Sequence, residues 1–291
     1  MVLAAEQRAA LLAWGERHRR DLLWRRTRDP WAILVSEVML QQTQIARVIP
    51  RYTAFLREFP TAFDCAAAPV AEAIRAWDGL GYNRRAVHLH RCAQVLVERH
   101  GGSPPHDLPA LLKLPGVGPY TARAVLAFAF EDDMGVVDPN VGRVLARWSG
   151  RRLGAAEAQA TADAIVPPGA GWLWNQALFD FAAGVCTRRR PRCAQCPVRP
   201  SCRWQGQGHD PAEGSAGVSG GQSRFEGSDR QGRGRLVAAL RRGPLPRSEA
   251  AAAAGWPEDP ARAARVLAGL EDDGMVVVDD EGTATLPDAG R

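Results

Sequence analysis

Four cysteines crowd into residues 186–202: Cys186, Cys193, Cys196 and Cys202, spaced C-x6-C-x2-C-x5-C. Nothing else in the chain restricts its fold so tightly. The segment Met1 to Leu23 is rich in charge from Glu6 onward and does not read as a secretory leader, so a cytoplasmic location is expected. In a reducing compartment, clustered thiols favour a metal or cluster over disulfides. Structural zinc sites more often pair two short C-x2-C knuckles. One compact loop with four thiolates suits a cubane iron–sulfur cluster. The other two cysteines, Cys65 and Cys92, stand alone on helical stretches and read as small core residues.

The 291 residues allow two or three small domains. The longest apolar runs, such as Ala124–Phe130, are far too short to span a bilayer, and no membrane contact is expected. Up to residue 205 the pattern is helical throughout. Met1 to Leu23 reads as an amphipathic helix with Leu3, Leu11, Leu12 and Trp14 on one side. Asp29-Pro30 signals a second helix, and Thr43 can cap a third that runs to about Glu58 with a kink at Pro50. Further helices are expected at Val70–Trp77, Arg84–Arg99, Asp107–Leu112, Val141–Trp148, Ala155–Ile165 and Asn175–Cys186. Gln205 to Gly221 is rich in Gly, Ser and Gln and reads as a linker. After it come three short helical stretches, Arg233–Arg242, Arg247–Ala254 and Pro260–Asp272. An apolar pair of runs, Met275–Val278 and Thr283–Leu286, then suggests a hairpin. Three helices and a hairpin make a winged-helix-like pattern.

Net charge is +5, and its distribution is uneven. Cys186–Trp204 carries six arginines and no acid, whereas Glu271–Glu281 carries six acids and no base. A polyanionic partner fits the first stretch. The acidic hairpin turn argues against a wing inserted into DNA.

Three stretches can carry chemistry. In Ser36–Thr43, Glu37 sits among Val35, Val38, Met39 and Leu40. If buried there it gains a raised pKa, as a general acid needs; a surface glutamate on an amphipathic helix is the plain alternative. Leu114-Pro115-Gly116-Val117-Gly118-Pro119-Tyr120 opens a helix through about Phe130. Free backbone N–H groups at such a start form a phosphate site, although an ordinary interhelical turn would look the same. Val137-Asp138-Pro139-Asn140-Val141 places a second acid at a helix start, where capping and catalysis are compatible.

Taken with the cysteine loop, these motifs resemble the helix-hairpin-helix DNA glycosylase superfamily with a [4Fe-4S] cluster. Within it the chain resembles the A/G-specific adenine DNA glycosylases of the MutY type. The motifs are S-E-V-M-L-Q-Q-T-Q at 36–44, G-L-G-Y at 79–82, L-P-G-V-G-P-Y-T-A at 114–122 and V-D-P-N-V at 137–141. The resemblance implies a mainly α, two-lobed fold with the small winged-helix-like α+β domain appended. It implies a six-helix barrel domain at 24–130, a cluster domain made of 1–23 and 131–204, a linker at 205–232 and the tail domain at 233–291. Cys186, Cys193, Cys196 and Cys202 would hold the cluster.

The implied function is monofunctional excision of adenine mispaired with 8-oxoguanine or guanine in double-stranded DNA, by a monomer acting at the nucleoid. Glu37 would protonate N7 of a flipped adenine. Asp138 would stabilise the cationic sugar or trap it covalently. Tyr120 would support both carboxyls, and Asn140 would hold Asp138 or the substrate. Gln42 and Tyr82 would wedge into the base stack, with Thr43 near the opposite base. Gln41 and Leu80 from the same motifs, and Gly116, Val117 and Gly118 of the turn, would contact DNA. Trp24, Arg25 and Gln176 would line the adenine pocket.

The chemistry agrees. Cleaving an N-glycosidic bond needs a protonated leaving base and a stabilised cation, which two carboxyls in different environments can divide. A base inside a duplex must first be extruded and its gap filled.

Departures from the family pattern bear on the alternatives. An endonuclease III-like enzyme needs a lysine two residues after the P-G-V-G turn as Schiff-base nucleophile; Tyr120 stands there, and Lys113, the only lysine, precedes the turn. A thymine or uracil mismatch glycosylase of the same superfamily is a second alternative. A non-catalytic iron–sulfur DNA-binding regulator is a third, from a different class. Pro139 replaces a usual glycine and Asn83 a usual second tyrosine. The tail lacks the pattern of the pyrophosphohydrolase-like domain that helps such enzymes recognise 8-oxoguanine. Arg224–Arg230 is a candidate substitute, with Phe225 as wedge and Ser228 bonding a purine edge; a clamp on the catalytic domain is the other reading.

Overall fold

The computed structural model describes residues 3–215 and 224–287. Its helices run in the order α1 (Ala5–His18), α2 (Pro30–Leu40), α3 (Ile45–Glu58), α4 (Ala62–Ala67), α5 (Val70–Ala76) and α6 (Arg84–His100). Next come α7 (Leu108–Leu111), α8 (Pro119–Ala129), α9 (Pro139–Ser149), α10 (Ala155–Ile165) and α11 (Gly171–Gly184). The tail adds α12 (Asp229–Leu240), β1 (Leu245–Pro246), α13 (Ala250–Ala254), α14 (Pro260–Asp272), β2 (Val277–Val278) and β3 (Thr283–Thr285). The fold is mainly α, and among the described residues strands occur only in the tail. No described helix is long and apolar enough to cross a membrane.

The chain divides into two compact units. The first comprises residues 1–30, 106–112 and 117–221; the second comprises 31–105, 113–116 and 222–291. The sequence reading kept 24–130 together and set 233–291 apart. The contacts place 117–130 in the first unit and the described tail in the second.

In the first unit α1 packs along α11, which also meets α8 and α9. A Cβ on Gly15 would come within 2.3 Å of the Ala177 Cβ, so the missing side chain is what lets the two helices touch. Leu3 and Leu11 are fully buried with Trp148, Trp174 and Phe181. The expected helix over Met1–Leu23 is shorter, ending at His18.

The second unit is organised around α2. Every residue from Trp31 to Met39 is buried, so this helix is wrapped on all sides rather than on one face. The kink expected at Pro50 does not end α3, which continues to Glu58. Thr43 does not cap α3 either: the N-cap is Gln44, without a side-chain bond.

The tail carries the expected winged-helix-like set, with one strand the sequence did not signal. β1 pairs antiparallel with β3, which pairs with β2. Pro246 is tolerated because β1 is an edge strand. Within its unit the tail is bonded to the end of α5 and the turn after it. The Arg241 guanidinium donates to the Ile74 carbonyl at 2.9 and 3.0 Å, to Asp78 at 2.7 Å and to the Asn83 side-chain oxygen at 3.1 Å.

The expected linker is partly structured. Residues 216–221 lie outside the described residues, but 205–215 pack into the first unit. Ala212 is buried in its core, and Asp210 pairs with the buried Arg147 at 2.6 Å. Residues 229–232 already belong to α12.

Candidate active site

Asp138 is the N-cap of α9. Its Oδ1 accepts from the backbone N–H of Asn140 at 2.9 Å and of Val141 at 2.7 Å. Its Oδ2 accepts from the Asn140 side-chain amide at 2.8 Å. The amide is oriented in turn by Arg143, whose Nη1 donates to Asn140 Oδ1 at 2.8 Å. Arg143 also donates to the carbonyls of Cys186 at 2.9 Å and Ala182 at 2.8 Å. Three donors fix the orientation of the carboxyl. The segment entering Asp138 is pinned as well. Val136 N–H donates to Asn175 Oδ1 at 2.9 Å, and Gly135 N–H donates to Asp163 at 2.8 Å, itself held by Arg123.

Asn140 is thus bonded to Asp138 through both its backbone and its side chain. Arg143 and Asn175 were missed. Their only sequence signal is a polar residue at an otherwise buried helical position, Arg143 between Val141 and Val144, Asn175 beside Trp174.

Tyr120 is half-buried at the second residue of α8, whose N-cap is Gly118. Gly116 has φ +76°, and a Cβ there would meet His88 Cβ at 2.8 Å, so the turn requires this glycine on two counts. Gly118 has an ordinary φ, and nothing lies within 4 Å of where its Cβ would be. Val117 between them is buried.

Trp24, Arg25 and Gln176 are all buried in the first unit. Arg25 is committed to a bidentate pair with Asp180, at 2.7 and 3.0 Å, which Arg20 also bonds at 2.6 Å. Burial opposes the Asp180 charge, but the arginine bonds outweigh it and hold its pKa below the usual carboxylate value. The Arg25 charge is thus met by a carboxylate the sequence reading did not single out.

In the second unit Glu37 sits at mid-helix in α2 with 4% of its surface exposed. The plain alternative, a solvated helix face, is excluded. The segments following α2 and preceding α6 share one organiser, Arg85. Its guanidinium donates to the carbonyls of Val38 at 2.7 Å, Met39 at 3.0 Å, Gln41 at 2.6 Å and Gly81 at 3.0 Å, and to Thr43 Oγ1 at 2.9 Å. It satisfies the end of α2 and ties the Gln41–Thr43 segment to Leu80–Tyr82. Burial pulls the Arg85 pKa down to about 10. Gln42 and Tyr82, the two expected wedges, have φ of 54° and 46°. Left-handed backbone costs about 1 kcal/mol or more at a non-glycine residue, and Arg85 is the restraint that offsets it. Leu80 is buried beneath this pair of turns.

The cysteine loop surrounds the end of α9. Arg147, 1% exposed at its side chain, donates to Cys186 Sγ at 3.4 Å and to the carbonyls of Thr187 at 2.8 Å and Arg188 at 3.0 Å. Gln205 N–H donates to Cys202 Sγ at 3.4 Å. Gly206 has φ +83°, and a Cβ there would lie 2.9 Å from Cys193 Sγ. Burial pushes the Cys196 thiol up to about 12; it raises Cys186 too, against the opposing bond from Arg147. Among the described residues no three His, Cys, Asp or Glu side chains stand together as a ready metal site. The donor set itself suits an iron–sulfur cluster: four thiols on one loop, with N–H groups aimed at sulfur.

Known proteins resemble this chain. A family model described as HhH-GPD superfamily base excision DNA repair protein matches residues 35–168. The adenine DNA glycosylase of Mycolicibacterium smegmatis is 43% identical over 289 residues, covering 97% of this chain and 96% of the relative. The chain belongs to the adenine DNA glycosylase family. The human adenine DNA glycosylase is 42% identical over 213 residues, covering 67% of this chain and 39% of its own. Among solved structures, a thermostable thymine-DNA glycosylase is similar with a TM-score of 0.64 at 32% identity, covering 68% of this chain and 94% of that one. A trapped endonuclease III–DNA covalent intermediate reaches 0.61 at 25% identity, with 68% and 93% covered. These likenesses fix the helix-hairpin-helix glycosylase fold. Within the adenine DNA glycosylase family, the mycobacterial match extends through the tail.

Proposed function

We infer that this protein is an adenine DNA glycosylase of base excision repair that removes adenine mispaired with 8-oxoguanine or guanine from double-stranded DNA. The observation that carries this reading is the near-full-length likeness to adenine DNA glycosylases in a chain retaining Glu37, Asp138 and Tyr120.

Glu37 in its apolar helix favours the protonated form and donates that proton to N7 of the extruded adenine. The C1′–N9 bond then breaks and adenine departs neutral. Asp138, held by three donors, stabilises the cationic sugar. Water adds to C1′, loses a proton, and leaves an abasic site. Asn140 fixes the Asp138 carboxylate, and Tyr120 at the start of α8 supports the carboxyls. Gln42 and Tyr82 fill the space the base vacates, and the Gly116–Gly118 turn offers N–H groups to phosphate.

Cys186, Cys193, Cys196 and Cys202 would hold a [4Fe-4S] cluster, which supplies rigidity to the arginine-rich loop rather than a step of the chemistry. The enzyme acts as a monomer. Tyr120 cannot form a Schiff base, so the backbone is not cut.

Single-turnover assays on duplexes holding A opposite 8-oxoguanine, A opposite G and T opposite G test this. Adenine release from the first two is expected, with strand breaks only after alkali. Glu37→Gln should slow release by about a hundredfold or more, as loss of a general acid does. Release from the T:G duplex alone would assign the protein to the thymine branch.

A further inference from the structure

Beside the cysteine loop lies a buried polar atom with no evident use. Trp204 Nε1 is shut off from solvent and has no hydrogen-bond partner among the described residues. An indole N–H can only donate, and burying it unmet forfeits its bond to water. Other indoles of the chain avoid this cost: Trp31 Nε1 donates to the Phe59 carbonyl at 3.1 Å, and Trp77 Nε1 to the Gly81 carbonyl at 3.3 Å. Two acceptors around Trp204 are already taken. The Arg147 carbonyl receives the backbone N–H groups of Gly150 and of Trp204 itself, both at 3.2 Å. The Asp210 carboxylate receives the Arg147 guanidinium at 2.6 Å and the Ala212 N–H at 3.0 Å.

Sulfur adjoins the same stretch. Trp204 follows Cys202 by two residues. The next residue, Gln205, donates its N–H to Cys202 Sγ at 3.4 Å, and a Cβ on Gly206 would lie 2.9 Å from Cys193 Sγ. The Arg147 guanidinium carbon lies 4.5 Å from the Trp204 ring centre, and the same guanidinium donates to Cys186 Sγ at 3.4 Å. Residues next to Trp204, in sequence or in space, thus approach three of the four sulfurs. The ring itself is fixed, by the guanidinium over its face and by packing against the core of the first unit.

A cluster held by four thiolates is an anion whose sulfurs accept hydrogen bonds, and donors aimed at those sulfurs tune and retain it. We propose that the Trp204 indole N–H donates to a sulfur of the [4Fe-4S] cluster, which makes Trp204 a positioning residue for that group. Arg147 holds the indole face, and Asp210 fixes Arg147 in turn. The proposal rests on the reading of Cys186, Cys193, Cys196 and Cys202 as the cluster's ligands. A tryptophan serving the core alone would bury its ring equally well and turn its N–H to a carbonyl, as Trp31 and Trp77 do.

The test uses the full chain, purified without oxygen, and its Trp204→Phe and Trp204→His variants. Phenylalanine keeps an aromatic ring without the N–H, and histidine restores a ring N–H. Trp204→Phe should load iron and sulfide as the wild type does. It should then lose its visible absorption to a ferrous chelator about tenfold faster, the scale of one hydrogen bond to a charged acceptor. The deciding readout is vibrational. The iron–sulfur stretches of the wild type, seen by resonance Raman, should shift between H2O and D2O, and those of Trp204→Phe should shift less. No shift in the wild type, or the same shift in both, would overturn the proposal, because packing alone supplies no exchangeable hydrogen. If Trp204→Phe fails to load, Trp204→His decides: restored loading supports the proposal, and equal loss in both variants refutes it. A wild type that binds no iron and sulfide would overturn the cluster reading itself.

Discussion

Asp180 shows how much of the site depends on residues remote from the chemistry. It neutralises Arg25 and Arg20 at once, with its own side chain 3% exposed. Its folded-state pKa is depressed, so it contributes stability above the unfolded value of about 3.9 and loses it as pH falls through the folded value. Asp180→Asn should cost about 3–5 kcal/mol at neutral pH by leaving a buried guanidinium unpaired. It should also flatten the acid limb of the stability profile. Urea unfolding measured from neutral pH down well below the unfolded carboxylate value checks both. The burial of Glu37 and the capping place of Asp138 were legible because their motifs are local: an acid inside an apolar run, and an acid one residue before a helix-starting proline. The pairing of Arg25 with Asp180 was not legible, since nothing local in the sequence connects residue 25 to residue 180.

At the scale of elements, Arg85 joins the turn just before it, Leu80–Tyr82, to the stretch Val38–Thr43, more than forty residues upstream. Removing its side chain strands the carbonyls at the end of α2 and frees both left-handed turns. Arg85→Ala should lower stability by about 2–4 kcal/mol, and Arg85→Lys should rescue little, because an ammonium cannot fork across several acceptors. Urea midpoints at an unchanged m-value are the measurement. Most helices could be read from apolar spacing, to within a few residues at their ends. α4 escaped because Ala62–Ala67 is too short and alanine-rich to show a period. β1 escaped because it is two residues long and includes a proline. The arginine hubs escaped for a different reason: their partners are backbone carbonyls, which every sequence has everywhere.

For the molecule as a whole, composition misled where a few polar anchors outweigh many flexible residues. Gln205–Ser215 reads as a linker, yet Asp210 completes the shell of the buried Arg147 and Ala212 enters the core. Two truncated chains separate these roles. One ending at Ser215 removes only the tail and the segment before it. One ending at Gln205 also strips the partner of Arg147. The shorter chain should be less stable than the longer by about 3–5 kcal/mol, and should melt several degrees lower in a calorimetric scan.

The packing of α1 on α11 sets a schedule for the newborn protein. The Arg20 backbone N–H, just beyond α1, waits for a carboxylate 160 residues downstream. At about 5–20 residues per second on the ribosome, that interval is on the order of ten seconds or more. During it the Leu3 and Leu11 face has no native surface to cover it, while the residues of the second unit up to Pro105 are already made. The first unit therefore closes late, and its α1 is the part of this enzyme most exposed to aggregation or to chaperone capture during synthesis.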